Sequence, residues 1–169
     1  MKRLLLLSAV AVVAFATAVP TARAGSATNT LTVSATVLGI CTIDPATLAF
    51  PNYDPTAANT DATATITVHC TSGSSYWIGL GLGGHATGAG ARRMAGGATE
   101  FLTYELYRDA GRSTVWDDAI PTTTPPTSTA SNAAPGYSAY TATVYGRIGG
   151  GQAVSTGGYS DTVTMTVNF

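Results

Sequence analysis

Asp161-Thr162-Val163-Thr164-Met165-Thr166-Val167-Asn168-Phe169 alternates without a break and ends the chain. Val163, Met165, Val167 and Phe169 share one face, and Thr162, Thr164, Thr166 and Asn168 share the other. Period two is the signature of a half-buried strand. Thr and Val suit a pleated surface with one face on a core. The sequence offers nothing after Phe169 to cover the edge beside this strand, so an open edge is expected there.

Similar alternation recurs upstream. Thr30–Val37 places Leu31, Val33, Ala35 and Val37 on one face, opposite Thr30, Thr32, Ser34 and Thr36. Further strands are predicted at 41–43, 48–50, 62–70, 76–82, 102–107 and 139–148. Their inward sets include Ala62, Ala64, Ile66, Val68 and Cys70, then Tyr76, Ile78, Leu80 and Leu82, then Leu102, Tyr104 and Leu106. Helical spacing does not persist past the first two dozen residues. Turn signals separate the strands: Asn52-Tyr53-Asp54-Pro55, Gly83-Gly84, Gly96-Gly97 and Gly149-Gly150-Gly151. A Thr-, Ser- and Pro-rich stretch, 122–136, reads as a long exposed loop. Seven or eight short strands with turns between them give an all-β fold, a sandwich.

Residues 1–24 read as an export signal. Lys2 and Arg3 lead an apolar run from Leu4 to Ala18, and Ala22-Arg23-Ala24 offers small residues for cleavage. The run is short for a membrane span, which needs about 20 residues, and no later stretch qualifies. The mature chain would run from Gly25 to Phe169, one domain's worth of sequence. It would keep Arg92, Arg93, Arg108, Arg112 and Arg147 against nine acids, with no Lys and a net charge of about −4. Nucleic-acid binding needs clustered cations; only Arg92 and Arg93 adjoin, so no nucleic-acid partner is expected.

Cys41 and Cys70 are the two cysteines. In an exported chain they read as a disulfide. Two thiols or half of a metal site are the alternatives, with His69 and His85 the remaining ligands. His69 adjoins Cys70, so in a strand the two point to opposite faces.

A search for chemistry returns little. No His is flanked by a nucleophile and a carboxylate in a recognisable triad. His85 follows Gly83-Gly84 in a turn, and His69 reads as a strand residue. Asp117-Asp118 are adjacent after Trp116 and read as a solvated turn rather than a glycosidase pair. Asp44 and Asp54 adjoin prolines, as turn residues do. The glycines of 79–84 open no helix, unlike those of a phosphate loop. No catalytic residue, metal site or cofactor is assigned, and no enzyme class is favoured.

The two ends stand out instead. A sandwich with an uncovered edge exposes backbone groups and apolar core. A flanking strand can fill it from its own molecule or from another, which is strand addition. Burying Leu31, Val33, Ala35 and Val37 supplies about 5–8 kcal/mol. A head-to-tail contact of this kind generates a filament.

Several motifs carry a family resemblance by their order and spacing. They are the alternating strand leading to Cys41-Thr42-Ile43, Leu48-Ala49-Phe50 with Tyr53-Asp54, and Ile66-Thr67-Val68-His69-Cys70. Arg93-Met94 precedes Leu102-Thr103-Tyr104-Glu105-Leu106-Tyr107-Arg108-Asp109. Val144-Tyr145-Gly146-Arg147-Ile148 follows, and then Gly158-Tyr159-Ser160 leads into the terminal strand. Across nearly the whole mature chain the sequence resembles the spore coat protein U domain family, which includes subunits of archaic chaperone–usher pili of the Csu type. The resemblance implies an incomplete immunoglobulin-like β-sandwich lacking its last strand and completed by donor-strand exchange. It implies a donor strand over 25–38 and a pilin domain over 39–169. It also implies neighbouring pilin subunits, a periplasmic chaperone and an outer-membrane usher as partners, and export to a surface fibre that serves adhesion and biofilm formation. The matching positions are Leu31, Val33, Ala35 and Val37 as donor, Cys41 and Cys70 as disulfide, and Val163, Met165, Val167 and Phe169 as acceptor edge. A tip-proximal adhesin, a self-complemented binding module and a spore-coat component are the other readings. Tip subunits of this type tend to carry an extra domain, which argues here for a shaft or adaptor position.

Overall fold

The computed structural model describes residues 23–87, 91–97, 99–119 and 138–169. Most of the expected signal and the whole 122–136 loop lie outside the described residues. The chain divides into an N-terminal unit ending at Ala35 and a unit from Thr36 to Phe169.

In the N-terminal unit, residues 23–35 form no strand and are exposed throughout, with Leu31 and Val33 at 88% and 82%. The alternating strand expected over Thr30–Val37 is therefore not formed in the single chain. A segment with no ladder partner has nothing to fix it as a strand.

The second unit holds seven strands: β1 (Cys41–Ile43), β2 (Asn59–Cys70), β3 (Trp77–Leu80), β4 (Arg92–Gly96), β5 (Glu100–Tyr107), β6 (Ser138–Gly149) and β7 (Met165–Asn168). They form a five-stranded sheet of order β1-β2-β6-β5-β4 and a two-stranded sheet, β3-β7, with every pairing antiparallel. Among the described residues there is no helix, and none long and apolar enough to cross a membrane.

Period two explains the layers. In β2, Ile66, Val68 and Cys70 are buried; in β5, Leu102, Tyr104 and Leu106; in β6, Val144 and Ile148. These meet Ile78 and Leu80 of the second sheet, and Tyr76 just before it, in one core cluster. Cys41 faces Cys70 across the β1–β2 ladder, and the two form a disulfide.

Four local expectations change. The terminal strand, expected over 161–169, forms only as β7, Met165–Asn168. Strand 76–82 stops at Leu80, and Leu82 is exposed. Residues 48–50 join no ladder, although Leu48 and Phe50 pack on the core from outside it. Strand β4 was not expected. It begins with Arg92, which is 0% exposed, and a charged residue at a core position hides a strand from any alternation rule.

Candidate strand-acceptor groove

The second sheet has only two strands, so much of the inner face of the large sheet needs other cover. Residues 46–53 and 157–165 supply part of it. Between them lies a cavity of about 760 Å³. Its floor includes Ile66, Leu102, Leu106, Val144 and Ile148. These are core residues of the five-stranded sheet, and they line an open groove.

The 46–53 wall is seated by an absence. Gly146 lies on the inner face of β6, where a Cβ would come within 2.8 Å of Phe50 Cζ and 3.0 Å of a Leu48 methyl. The missing side chain makes room for both. Tyr53 fixes the far end of this wall: its hydroxyl donates to Gly149 O at 3.2 Å and accepts from Gln152 N–H at 2.8 Å.

The 157–165 wall is pinned by three consecutive side chains or backbones. The Tyr159 ring lies against Gly96, where a Cβ would be 2.2 Å from the ring. Its hydroxyl reaches Glu100 Oε2 at 2.7 Å. The Ser155 hydroxyl and then Tyr159 hold the Glu100 carboxyl below its ordinary range. Ser160 exchanges two backbone hydrogen bonds with Ala95 of β4, at 2.8 and 3.0 Å.

Asp161 is the strongest pin. Its side chain is 2% exposed. Oδ1 accepts from Gly84 N–H at 2.9 Å and lies 3.1 Å from His85 Nδ1; Oδ2 accepts from Tyr104 O–H at 2.8 Å. A buried carboxylate needs such partners. Gly83 permits the approach: its φ is +89°, and a Cβ there would fall 2.0 Å from Asp161 Oδ2. Burial first, then the Asp161 hydrogen bond and charge, push the Tyr104 hydroxyl far above the ordinary tyrosine range.

The geometry of β7 follows from its partner. Gly81 N–H donates to Thr164 O at 2.9 Å, so the odd-numbered residues of β3 point their backbone groups at β7. Ile78 and Leu80 point theirs the other way. They stand opposite Val167 and Met165. These are therefore the non-hydrogen-bonded pairs of the ladder, and Met165 and Val167 direct N–H and C=O away from β3. On that side β7 is the edge of its sheet. Val163, Met165 and Val167 are half-buried against the core, whereas Phe169 is 63% exposed. The terminal phenylalanine, expected to face inward, thus stands out in solvent beyond the last paired residue, Asn168.

The structure disposes of the expected residues unevenly. Leu31, Val33, Ala35 and Val37 are all exposed. His69 Nε2 lies 3.1 Å from Asp44 Oδ2, a side-chain contact on the outer face. Asp117 faces Arg108 at 3.9 Å. Among the described residues no group of three His, Cys, Asp or Glu could hold a metal. The sequence reading missed Asp161 and its link to His85, 76 residues away. Only the Gly83-Gly84 pair before His85 hinted at a close approach.

Comparison with known proteins places this arrangement. The Spore Coat Protein U domain matches residues 27–166. "Protein U" of Myxococcus xanthus is 33% identical over 164 residues, which is 88% of each chain. A chain of the CsuC-CsuE chaperone-tip adhesion subunit pre-assembly complex, from archaic chaperone-usher Csu pili of Acinetobacter baumannii, matches with a TM-score of 0.54 at 21% identity. That match covers 79% of this chain and 40% of the other, so this chain spans well under half of its length. At that identity the likeness speaks for the fold, an immunoglobulin-like β-sandwich. The chain belongs to the Spore Coat Protein U domain family.

Proposed function

We propose that this chain is a structural subunit of a secreted bacterial surface fibre, of the archaic chaperone–usher pilus type. Residues 25–38 of one subunit add as a strand to the groove of the next. The single observation that carries this reading is the groove itself. Core side chains line an open channel, and the edge strand beside it turns backbone donors and acceptors outward. A strand laid along β7 would satisfy those groups, each pair contributing about 0.5–1.5 kcal/mol. Its alternate side chains would enter the groove.

The exposed Leu31, Val33 and Val37, at 88%, 82% and 80%, are the matching half. Three large apolar side chains so exposed within seven residues call for a partner. With Ala35 they form the donor face; Val163, Met165, Val167 and the rim residue Phe169 form the acceptor edge. Export by a leader over 1–24, transient cover by a periplasmic chaperone, exchange at an outer-membrane usher, and service in adhesion and biofilm formation belong to the same reading. It assigns no catalytic role.

Deleting residues 25–37 tests it. The deleted chain should still bind its chaperone and accept a strand, but should donate none. The intact protein should give a ladder of detergent-resistant, heat-sensitive oligomers, and the deleted one should not. Normal fibres built from the deleted chain alone would refute donor-strand assembly. A strictly monomeric intact protein with the groove filled would favour self-complementation.

A further inference from the structure

Arg92 poses a question that the groove does not answer. It is a fully buried guanidinium, and burying a charge is costly unless every partner is in place. Its partners are three backbone carbonyls and one carboxylate. Nε donates to Gly81 O at 3.0 Å, and Nη2 donates to Leu80 O at 2.8 Å and Trp116 O at 2.6 Å. Nη1 is ion-paired with Glu105, whose side chain is 26% exposed. Trp116, itself buried, donates its indole N–H to Ile78 O at 2.8 Å. Leu80 N–H donates to Asp117 O at 3.1 Å.

These bonds share a location. Ile78 and Leu80 direct their backbone groups away from β7, so Ile78 O, Leu80 O and Leu80 N are groups of the outer edge of β3. The small sheet therefore has two edges open to strand addition in principle. One is the groove side of β7. The other is the outer side of β3, where Arg92, Trp116 and Asp117 occupy three backbone groups.

We infer that Arg92 and Trp116 form a seal on the β3 edge that confines an incoming strand to the β7 groove. The inference rests on the strand-acceptor reading and adds its specificity. An acceptor with two usable edges would branch or cap a growing fibre; with one sealed, each subunit takes one strand. It also gives the buried arginine a role that a packed apolar residue could not fill, since only a donor-rich side chain can occupy several carbonyls at once.

The test uses the full chain, a tagged synthetic peptide of residues 26–38, native mass spectrometry to count peptides per subunit, and amide hydrogen exchange to locate them. Trp116→Phe removes the indole N–H while keeping an aromatic ring. Arg92→Met removes the guanidinium donors. The parent should bind one peptide, with new protection at Met165 and Val167. Each variant should bind a second peptide, with new protection at Ile78. One peptide on the parent and only one on a folded Trp116→Phe chain would overturn the seal and leave strand acceptance intact. No peptide on either chain would refute strand acceptance, and the seal with it. If Arg92→Met fails to fold, Trp116→Phe decides alone.

Discussion

Replacing Asp161 with Ala should loosen the groove wall and cost the fold several kcal/mol. The magnitude follows from its partners. The side chain is 2% exposed and accepts from Gly84 N–H and Tyr104 O–H. Losing the charged acceptor of a backbone N–H costs about 1.5–3 kcal/mol, and an orphaned buried hydroxyl costs about 1–3 kcal/mol. His85 is 43% exposed, so water can replace its half of the pair at little cost, within about 1 kcal/mol. The alanine variant should therefore lose about 3–5 kcal/mol. Asp161→Asn keeps the shape and one carbonyl acceptor and should lose roughly 1–2 kcal/mol. A domain of this size loses about 2–4 °C of Tm per kcal/mol.

Urea denaturation of parent, Asp161→Ala, Asp161→Asn and His85→Ala chains measures the series. Binding of the 26–38 peptide measures the groove in the same proteins. The expected order of loss is Ala, then Asn, then the His85 variant, with peptide affinity falling in parallel. An Asp161→Ala chain within about 1 kcal/mol of the parent would refute the claim that this carboxylate holds the wall. So would full stability loss in His85→Ala, because it would make the exposed imidazole the anchor.

Replacing Cys41 with Ala opens the bridge to Cys70, which are 29 residues apart, and should cost about 3–4 kcal/mol by the chain-entropy account; unchanged thermal stability and periplasmic yield would contradict this. Gly146→Val puts a side chain where Leu48 and Phe50 now rest, costing about 1–3 kcal/mol by overpacking and displacing the wall, so peptide binding should fall with stability. Tyr104 ionises more reluctantly in the fold than in the unfolded chain, because of burial first and Asp161 second. Its contribution is therefore complete below its ordinary value of 10.0 and is lost as pH rises above it. Alkaline unfolding coupled to tyrosinate absorbance should show this, and a Tyr104→Phe chain with the same alkaline limb would refute it.

The strands that alternate about the core were legible, and the elements placed by long-range polar contacts or by a missing side chain were not. Strands β2, β5 and β6 read directly, because Ile66, Val68, Leu102, Leu106, Val144 and Ile148 alternate with polar residues. Strand β4 did not, since Arg92-Arg93-Met94-Ala95-Gly96 has no apolar period and its buried member is charged. Its burial depends on carbonyls of Leu80, Gly81 and Trp116, which no local pattern announces. Residues 48–50 read as a strand because Leu48 and Phe50 alternate about Ala49, yet they lean into the space that Gly146 vacates rather than joining a ladder. Around the cavity, the inward phase of Val163, Met165 and Val167 was legible, while the polar anchor Asp161 was not. Asp161 and His85 are 76 residues apart, and each looks like an ordinary turn or strand-end residue in isolation.

Alternation settles one further feature of the strand-acceptor reading, the phase of the incoming strand. A slip of one residue would turn Thr30, Thr32, Ser34 and Thr36 into a groove floored by Ile66, Leu102, Leu106, Val144 and Ile148. Each buried hydroxyl without a partner costs about 1–3 kcal/mol, so the odd phase is excluded by far more than thermal energy. A slip of two keeps the apolar face inward and shifts the strand by about 7 Å. Size must separate these even phases. Ala35 is the only small member of the donor face, and a slip of two exchanges it with Val33 or Val37 at any point along the floor. Each exchange then puts a valine where an alanine fits, or leaves a gap where a valine fitted. Overpacking costs about 1–3 kcal/mol, and voids are penalised as well. On the strand-acceptor reading Ala35 sets the register that the alternation alone leaves open, and Ala35→Val should weaken peptide binding even though it adds apolar surface.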